Sequence, residues 1–179
     1  MAYPAVIIED TRNQPGKHRN IHAFCEQNGI RIVRSKLVVG DYSLPTTQAV
    51  CVDTKYGMQE VYSNMVQSHD RFRRECDLAH ELGIKLVILV EEPGILSLDD
   101  VHMWQNPRLE RYMMILIGHQ HGRFMGTKLP PRKPIDSKRL EQMMRTFAER
   151  HHCEWRFCSK DRTGETLMEI LTNDMPGRV

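Results

Sequence analysis

Residues 85–90 read Lys-Leu-Val-Ile-Leu-Val, and their five consecutive apolar side chains predict a strand that is buried on both faces. The preceding stretch, 68–82, carries apolar residues at helical spacing, and Gly83 ends it. A second amphipathic helix is predicted over 137–150, followed by a strand over 153–158. Because helices and strands interleave, we predict an α/β fold with a mixed central sheet flanked by helices.

The same patterns predict further elements on both sides of this central strand. The additional strands are predicted at 5–10, 30–36, 37–44 and 49–55, and the additional helices at 21–28, 58–66, 108–117 and 161–171. Asn20 is the predicted N-cap of the helix over 21–28. Since no internal repeat and no linker-like composition divides the chain, we predict a single domain over 1–179.

Length and composition exclude several classes of protein. With 179 residues, of which 40% are hydrophobic and 27% charged, the chain is long enough for one buried core and unlike a disordered segment. Its longest apolar runs, 86–90 and 113–117, fall far below the roughly 18 residues that a membrane span needs. Five cysteines without Cys-x-x-Cys spacing, and no recognisable secretory leader, lead us to expect a cytoplasmic protein without a disulfide framework.

Positive charge is concentrated in two segments although the net charge is only +2. Residues 11–36 and 123–139 each contain six Lys or Arg against one acidic residue. Two such segments suit a phosphate-rich partner, and the alternative is that both are solvated loops. Within the second segment, 130–134 (Pro-Pro-Arg-Lys-Pro) is either a stiff basic loop that lies against DNA or an ordinary connection.

Four charged residues lie at the ends of predicted strands: Asp10, Asp41, Asp53 and Lys55. Asp53 and Lys55 are two residues apart, so they share one face of their strand. Carboxylates at strand ends suit Mg²⁺, and a neighbouring lysine can stabilise charge on a phosphate, which is the combination that a metal-dependent phosphodiesterase needs. The alternative is a surface salt bridge between Asp53 and Lys55.

Three motifs together resemble the nuclease domain of the XPF family, the excision-repair cross-complementation group four enzymes of the PD-(D/E)xK superfamily. They are Ile-Glu-Asp-Thr-Arg at 8–12, Gly-Asp-Tyr at 40–42 and Val-Asp-Thr-Lys at 52–55. The resemblance extends over about 6–172, is weakest over 104–134, where we expect an insertion, and is greatest to the compact stand-alone forms of bacteria and their phages. It implies a restriction-endonuclease-like α/β fold.

The resemblance also implies a set of site residues. Asp41 and Asp53 would be metal ligands, with the carbonyl of Thr54 as a third, and Asp10 would be an additional acidic residue at the metal. Lys55 would act on the attacking water. The implied cofactor is Mg²⁺ or Mn²⁺, and the implied partner is DNA, duplex or branched.

Several neighbouring residues are further candidates. Arg12 would contact a phosphate or orient Asp10, and Glu9 is an alternative to Asp10. Gln59 and Glu60 fall near another acidic position of the family.

Two arginines on the predicted helix over 68–82 are candidates for binding DNA. Arg71 and Arg74 share a helix face and could reach backbone phosphates. The alternative is a solvated face paired with Asp70, Glu75 and Asp77.

The chain departs from the family pattern at two positions. Asp53 stands where the family usually has Glu, and Thr54 replaces an Arg, which removes one possible DNA contact. We expect a metal-dependent DNA endonuclease acting in DNA repair, recombination or phage DNA processing. The alternatives are a catalytically inactive nuclease-like module that binds DNA or a partner, and a Holliday-junction resolvase that acts as a dimer.

A homodimer is a further expectation. The family pairs its nuclease domains through the terminal helices and strand, which here are 137–150, 153–158 and 161–171. Trp155 and Met168 are candidate contacts, and the alternative places both in the core of the monomer.

Overall fold

The structure, a computed structural model, describes residues 3–14, 16–123 and 126–174, and a six-stranded mixed sheet forms its centre. The strands are β1 (Val6–Asp10), β2 (Arg31–Ser35), β3 (Tyr42–Ser43), β4 (Val50–Lys55), β5 (Lys85–Glu91) and β6 (Cys153–Cys158). Their spatial order is β2-β1-β3-β4-β5-β6, and only β3 runs antiparallel to its neighbours. The other five strands therefore end at the edge of the sheet where β3 begins. The predicted fold class is confirmed.

Helices cover both faces of this sheet. They are α1 (Arg19–Gln27), α2 (Met58–Val66), α3 (His69–Glu81), α4 (Pro107–Gln120), α5 (Ser137–His151) and α6 (Thr163–Asn173), with short 3₁₀ helices at Leu98–Met103 and Lys160–Arg162. One core lies between the sheet and α1 and α6, and the other lies between the sheet and α2, α3 and α5. Within the described ranges, no helix is long and apolar enough to cross a bilayer.

Alternation along β4 assigns its side chains to these two cores. Val50 and Val52 pack towards α1 and α6, whereas Cys51 packs towards α2 and α3. Asp53 and Lys55 share the parity of Cys51, so they point to the α2–α3 side of the sheet. Burial of a large apolar side chain stabilises the fold by roughly 1.5–3 kcal/mol, so this register is strongly fixed.

The predicted strand over 37–44 is wrong in extent, because only Tyr42–Ser43 pairs with neighbouring strands. Upstream, two backbone groups bond to side chains instead: the Leu37 N–H donates to Asp10 Oδ2 at 2.7 Å, and the Gly40 N–H donates to Glu75 Oε1 at 3.0 Å. Gly40 has φ +72°, and a Cβ there would lie 3.1 Å from the Val52 carbonyl oxygen. The chain thus turns sharply just before β3.

The predicted cap of α1 is also wrong. The helix begins at Arg19 after His18, and the Asn20 side chain donates instead to the Lys160 carbonyl at 2.8 Å. This bond ties α1 to the segment that precedes α6.

The two residues expected at a dimer contact lie in the core of the monomer. Met168 is fully buried, and Trp155 is 7% exposed. The Trp155 Nε1–H donates to the Met144 carbonyl at 3.1 Å within the protein. Neither side chain is therefore available on the surface for a partner.

Candidate active-site cleft

An open cleft of about 540 Å³ lies at the edge of the sheet where β1 and β4 end and β3 begins. Its lining contains all four of the charged residues that the sequence places at strand ends: Asp10, Asp41, Asp53 and Lys55. They converge because β1 and β4 are parallel and the antiparallel β3 starts between them. The sheet topology thus builds one polar site from three separate segments of the chain.

Asp53 and Lys55 form a close ion pair in this cleft. The Lys55 Nζ donates to Asp53 Oδ2 at 2.5 Å, and the two residues are only 8% and 5% exposed, respectively. Burial, together with the nearby charge of Asp41, raises the pKa of Asp53 although Lys55 opposes this. Burial disfavours the charged amine, but the Asp53 carboxylate more than offsets this and raises the pKa of Lys55. The pair is therefore a buried one at the cleft and not a surface salt bridge.

Asp41 is held by the backbone and side chain of Thr54. Its Oδ2 accepts the Thr54 N–H at 2.9 Å and the Thr54 hydroxyl at 2.7 Å. Its own N–H donates to the Val52 carbonyl at 2.7 Å, and its carbonyl accepts the Asp10 N–H at 2.8 Å. The Asp41 side chain is thus fixed relative to both β1 and β4.

His18 supports this arrangement from the opposite side of β4, and sequence reasoning missed it. The Thr54 hydroxyl has one proton, which it donates to Asp41, so His18 Nδ1 donates its proton to Thr54 Oγ1 at 3.2 Å. Burial lowers the pKa of His18 to about 4, so the ring is neutral at pH 7. No local pattern marks this residue, because its contact is made across the fold.

Asp10 has both carboxylate oxygens occupied. Arg12 donates to Oδ1 from its N–H at 2.6 Å and its Nε at 2.8 Å, and to Oδ2 from Nη2 at 2.9 Å. The Leu37 N–H also donates to Oδ2. Burial alone would raise the pKa of Asp10, but these hydrogen bonds outweigh it and lower the pKa. Of the two roles expected for Arg12, its geometry corresponds to orienting Asp10.

Glu9 faces away from the cleft, because successive residues of β1 point to opposite sides of the sheet. It is 3% exposed and lies on the α1 side, where Oε1 accepts the Tyr42 hydroxyl at 2.9 Å and lies 3.1 Å from His22 Nε2. The structure therefore does not bring Glu9 to Asp41 and Asp53.

The two remaining candidates from the sequence, Gln59 and Glu60, lie in different places. Glu60 lines the cleft, and its Oε2 accepts the Tyr56 N–H at 2.8 Å, whereas Gln59 lines a neighbouring depression. Glu75, which the sequence suggests only as an ion-pair partner, also lines the cleft and holds the Gly40 N–H. Its spacing on α3 does not reveal this contact, which depends on how α3 packs beside the turn before β3.

Arg71 and Arg74 both line the cleft from α3. Both are exposed, and neither forms an ion pair with a carboxylate among the described residues. Arg73, between them, is instead paired with Asp70 at 4.0 Å and Asp77 at 3.4 Å. The helix thus divides its arginines between intrahelical ion pairs and the cleft.

The donor set of the cleft fits a hard divalent cation that keeps several water ligands. Within the described residues, Asp41 and Asp53 each retain one carboxylate oxygen that accepts no hydrogen bond. The Thr54 N–H points towards Asp41. Because a residue in a strand directs its N–H and its C=O to the same side of the strand, the Thr54 carbonyl also points to the Asp41 side of β4. Mg²⁺ is commonly held by one or two carboxylates, with water completing its shell. Residues 3–14, 16–123 and 126–174 contain no group of three or more His, Cys, Asp or Glu side chains placed to hold a metal ion, so a cation held here would take much of its shell from water.

A mixed sheet flanked by helices, with carboxylates and a lysine at one edge, defines the class of the fold as α/β. Comparison with solved structures confirms the XPF-like fold. The chain superposes on XPF from Aeropyrum pernix with a TM-score of 0.60 and 13% identity, over 96% of this chain and 66% of that one. A second structure, XPF from Aeropyrum pernix in complex with DNA, gives a TM-score of 0.56 and 16% identity, over 98% of this chain and 69% of that one.

The chain therefore spans about two thirds of the length of the solved chains that it matches. Searches of protein-family models and of curated proteins gave no match.

Proposed function

We propose that this protein is a metal-dependent DNA endonuclease that hydrolyses phosphodiester bonds in DNA repair, recombination or phage DNA processing. The observation that carries the proposal is the convergence of Asp41, Asp53 and Lys55 in one open cleft of an XPF-like fold. Buried carboxylates beside a buried lysine are costly to a fold, so a cleft that gathers them is a candidate for catalysis.

Asp41, Asp53 and the Thr54 carbonyl would hold Mg²⁺ or Mn²⁺. When bound, such a cation supplies a Lewis acid and lowers the pKa of water. A bound cation would also offset the cost of burying the Asp53 carboxylate. Thr54 and His18 keep the Asp41 carboxylate in one orientation, which reduces the entropy lost when a ligand binds.

Lys55 would orient the attacking water and stabilise the charge that develops on the phosphate. The oxygen of water forms a bond to phosphorus as the bond to the 3′ oxygen breaks. A proton leaves the water, and the 3′ oxygen gains one. The products are a 5′-phosphate and a 3′-hydroxyl.

Arg71 and Arg74 would contact backbone phosphates on either side of the reacting bond. Their exposure in the cleft without a carboxylate partner supports this role, since contacts to phosphate position DNA without reading its sequence. The superposition on an XPF structure in complex with DNA supports a DNA substrate.

Two observations favour the second candidate, an inactive module that binds DNA. No cluster of three or more potential metal-binding side chains is found among the described residues, and Lys55 occupies one oxygen of Asp53. The free oxygens on Asp41 and Asp53 weigh against it. An inactive module would bind DNA in EDTA and leave it uncut after Mg²⁺ or Mn²⁺ is added.

The test is incubation of the protein with single-stranded, duplex, flap and four-way DNA in Mg²⁺, Mn²⁺ or EDTA. We expect metal-dependent cleavage of at least one substrate, with 5′-phosphate ends. Absence of cleavage across the whole panel would contradict the proposal and favour the inactive module.

A further inference from the structure

A second groove, lined by α2, α4 and residues 127–135, lies outside the cleft and has a volume of about 610 Å³. We call it the α2–α4 groove. Five cationic residues line it: Arg108, Arg111, Lys128, Arg132 and Lys133. Its described lining contains no acidic residue.

The five cations of the groove are exposed, and none forms an ion pair within the part of the chain that the structure describes. Some surface cations elsewhere are paired, since Arg145 contacts both Asp99 and Glu141. Like charges brought into one groove repel each other, and no carboxylate in the lining offsets this cost. An unpaired cluster of this kind suits a polyanionic ligand.

Aromatic and apolar groups lie between these cations. The Arg108 guanidinium sits over the Tyr62 ring, 5.3 Å from its centroid, which fixes its position. Tyr112 and Ile115 of α4 also line the groove. The half-buried Tyr112 ring beside these cations suits a nucleic-acid strand, since the cations would follow its phosphates and this ring would contact a sugar or base.

The linings of the groove and of the cleft include residues that are close together in the sequence. Gln67, at the end of α2, lines the groove, whereas Arg71, in the first turn of α3, lines the cleft. Four residues span at most about 14 Å, so the two linings approach within that distance at this point. That distance corresponds to about four phosphates along one strand.

We propose that the α2–α4 groove is a second binding site for the DNA backbone, which holds the strand beyond the reacting phosphate. The inference rests on the proposed function and extends it. Arg71 and Arg74 hold the DNA strand in the cleft, and the cations of the groove bind the phosphates that follow along the same strand. Residues 130–134, for which the sequence left two interpretations open, then form a basic loop against DNA.

The test compares two doubly substituted proteins that lose the same charge. Arg132→Gln with Lys133→Gln removes two groove cations, and both wild-type side chains are exposed without an ion pair. The control, Arg31→Gln with Arg150→Gln, removes two exposed cations that also lack an ion pair in the described residues and lie outside both sites. Arg31 opens β2, at the opposite end of the sheet from the cleft.

Binding of fluorescein-labelled duplex and single-stranded DNA is measured by anisotropy in EDTA, between about 50 and 200 mM salt. We expect the groove variant to bind at least about tenfold more weakly than the wild type. For duplex DNA, its plot of log affinity against log salt is expected to be less steep by about 1.8, or 0.9 for each lost phosphate contact. The control is expected to keep the wild-type affinity and slope.

Equal affinities and slopes for the groove variant and the control would overturn the groove assignment and leave the proposed cleavage standing. The groove assignment would also be overturned if the binding of labelled polyglutamate, and not that of DNA, depended on Arg132 and Lys133. The groove would then be a site for an acidic peptide. The protein could also bind DNA through the groove and yet cut no substrate in Mg²⁺ or Mn²⁺. That result would overturn the proposed nuclease function and leave the groove assignment standing. Cleavage is not read in the binding experiment, so the two failures are distinguishable.

Discussion

At the scale of single residues, the Asp53–Lys55 pair determines what the cleft can do. Separation of a buried pair leaves an uncompensated charge, so each partner depends on the other unless a cation replaces it. A bound divalent cation would provide that replacement, because it offsets the charge of Asp53 and frees Lys55 for water or phosphate.

The first prediction concerns Lys55→Met, which keeps the length of the side chain and removes its charge. We expect cleavage to fall by about 10²-fold or more, within the usual range for the loss of a proton-transfer or charge-stabilising group. Because Lys55 is not a proposed ligand, addition of Mn²⁺ is still expected to raise the melting temperature, as ligands of the native state do. Rates of nicking and thermal melts with and without Mn²⁺ measure both effects.

Lys17→Met is the matched control, since Lys17 is a second lysine in the lining of the cleft and contacts the Tyr56 ring instead of a carboxylate. It is expected to retain most of the activity. Near-wild-type cleavage by Lys55→Met would remove Lys55 from the chemistry.

At the scale of the elements, the turn before β3 places Asp41. Gly40→Ala introduces a Cβ at φ +72°, 3.1 Å from the Val52 carbonyl oxygen and 3.2 Å from Cys51 Cβ. The left-handed conformation alone costs about 1–2 kcal/mol for a residue with a side chain. The contacts with β4 add to this cost and push the Asp41 turn outwards, so we expect losses in both the free energy of unfolding and the cleavage rate.

Gly83→Ala is the control, because Gly83 has φ +67° and its Cβ would meet nothing within 4 Å. It is expected to lower stability by about 1–2 kcal/mol and leave the cleavage rate per folded molecule unchanged. Urea unfolding and cleavage assays of both variants measure these effects. If Gly40→Ala behaves like Gly83→Ala in both assays, the turn does not position Asp41.

The arginines of α3 give a prediction about DNA binding. Arg71→Ala with Arg74→Ala is expected to weaken duplex binding and to flatten its salt dependence by up to about 1.8, since each lost phosphate contact contributes about 0.9. Stability should change little because both side chains are exposed. Anisotropy titrations at several salt concentrations measure the slope.

Arg73→Ala with Arg150→Ala removes the same charge outside the cleft lining. It should leave the slope nearly unchanged. Equal slopes for the two pairs would place the DNA away from α3.

Sequence patterns predicted those parts of the site that depend on local structure. Alternation along β4 places Asp53 and Lys55 on one face. The family resemblance singled out Asp41 through the Gly-Asp-Tyr motif, but the turn that carries Asp41 was predicted as part of a strand over 37–44. His18 and Glu75 reach the site through contacts 36 and 35 residues away along the chain, so no periodicity reveals them. The α2–α4 groove is likewise non-local, because Arg108 and Arg132 line one groove only when α4 and residues 127–135 pack side by side.

The same distinction explains the errors. A run of apolar residues at 37–39 imitates a strand, but the Asp10 and Glu75 side chains take the backbone donors around it. Asn20 has the chemistry of an N-cap, but a tertiary bond to Lys160 competes for its side chain.

At the scale of the whole molecule, we predict self-association. A symmetric dimer would double the phosphate contacts that one copy of this chain offers. Trp155 and Met168 are excluded as the contact, and the exposed apolar residues on α4 are the alternative: Met113, Met114 and Ile117. We expect Met114→Glu to weaken the dimer, with Leu96→Glu, at a more exposed site off this helix, as the control.

Sedimentation at micromolar concentration, with and without DNA, measures the self-association of the wild type and of both variants. A species near 21 kDa under every condition would contradict self-association.

The central claim is that Asp41 and Asp53 bind a metal that is needed to cut DNA, and one comparison tests it most directly. Wild type, Asp41→Asn, Asp53→Asn and Glu9→Gln are assayed for cleavage of the preferred substrate in Mn²⁺ and in EDTA. Glu9→Gln is the matched control because it alters a buried carboxylate on the opposite face of the same sheet. We predict metal-dependent cleavage by the wild type and Glu9→Gln, and loss of at least about 10²-fold in both Asn variants, which still fold cooperatively. Cleavage in EDTA, or near-wild-type cleavage by either Asn variant, would contradict the account.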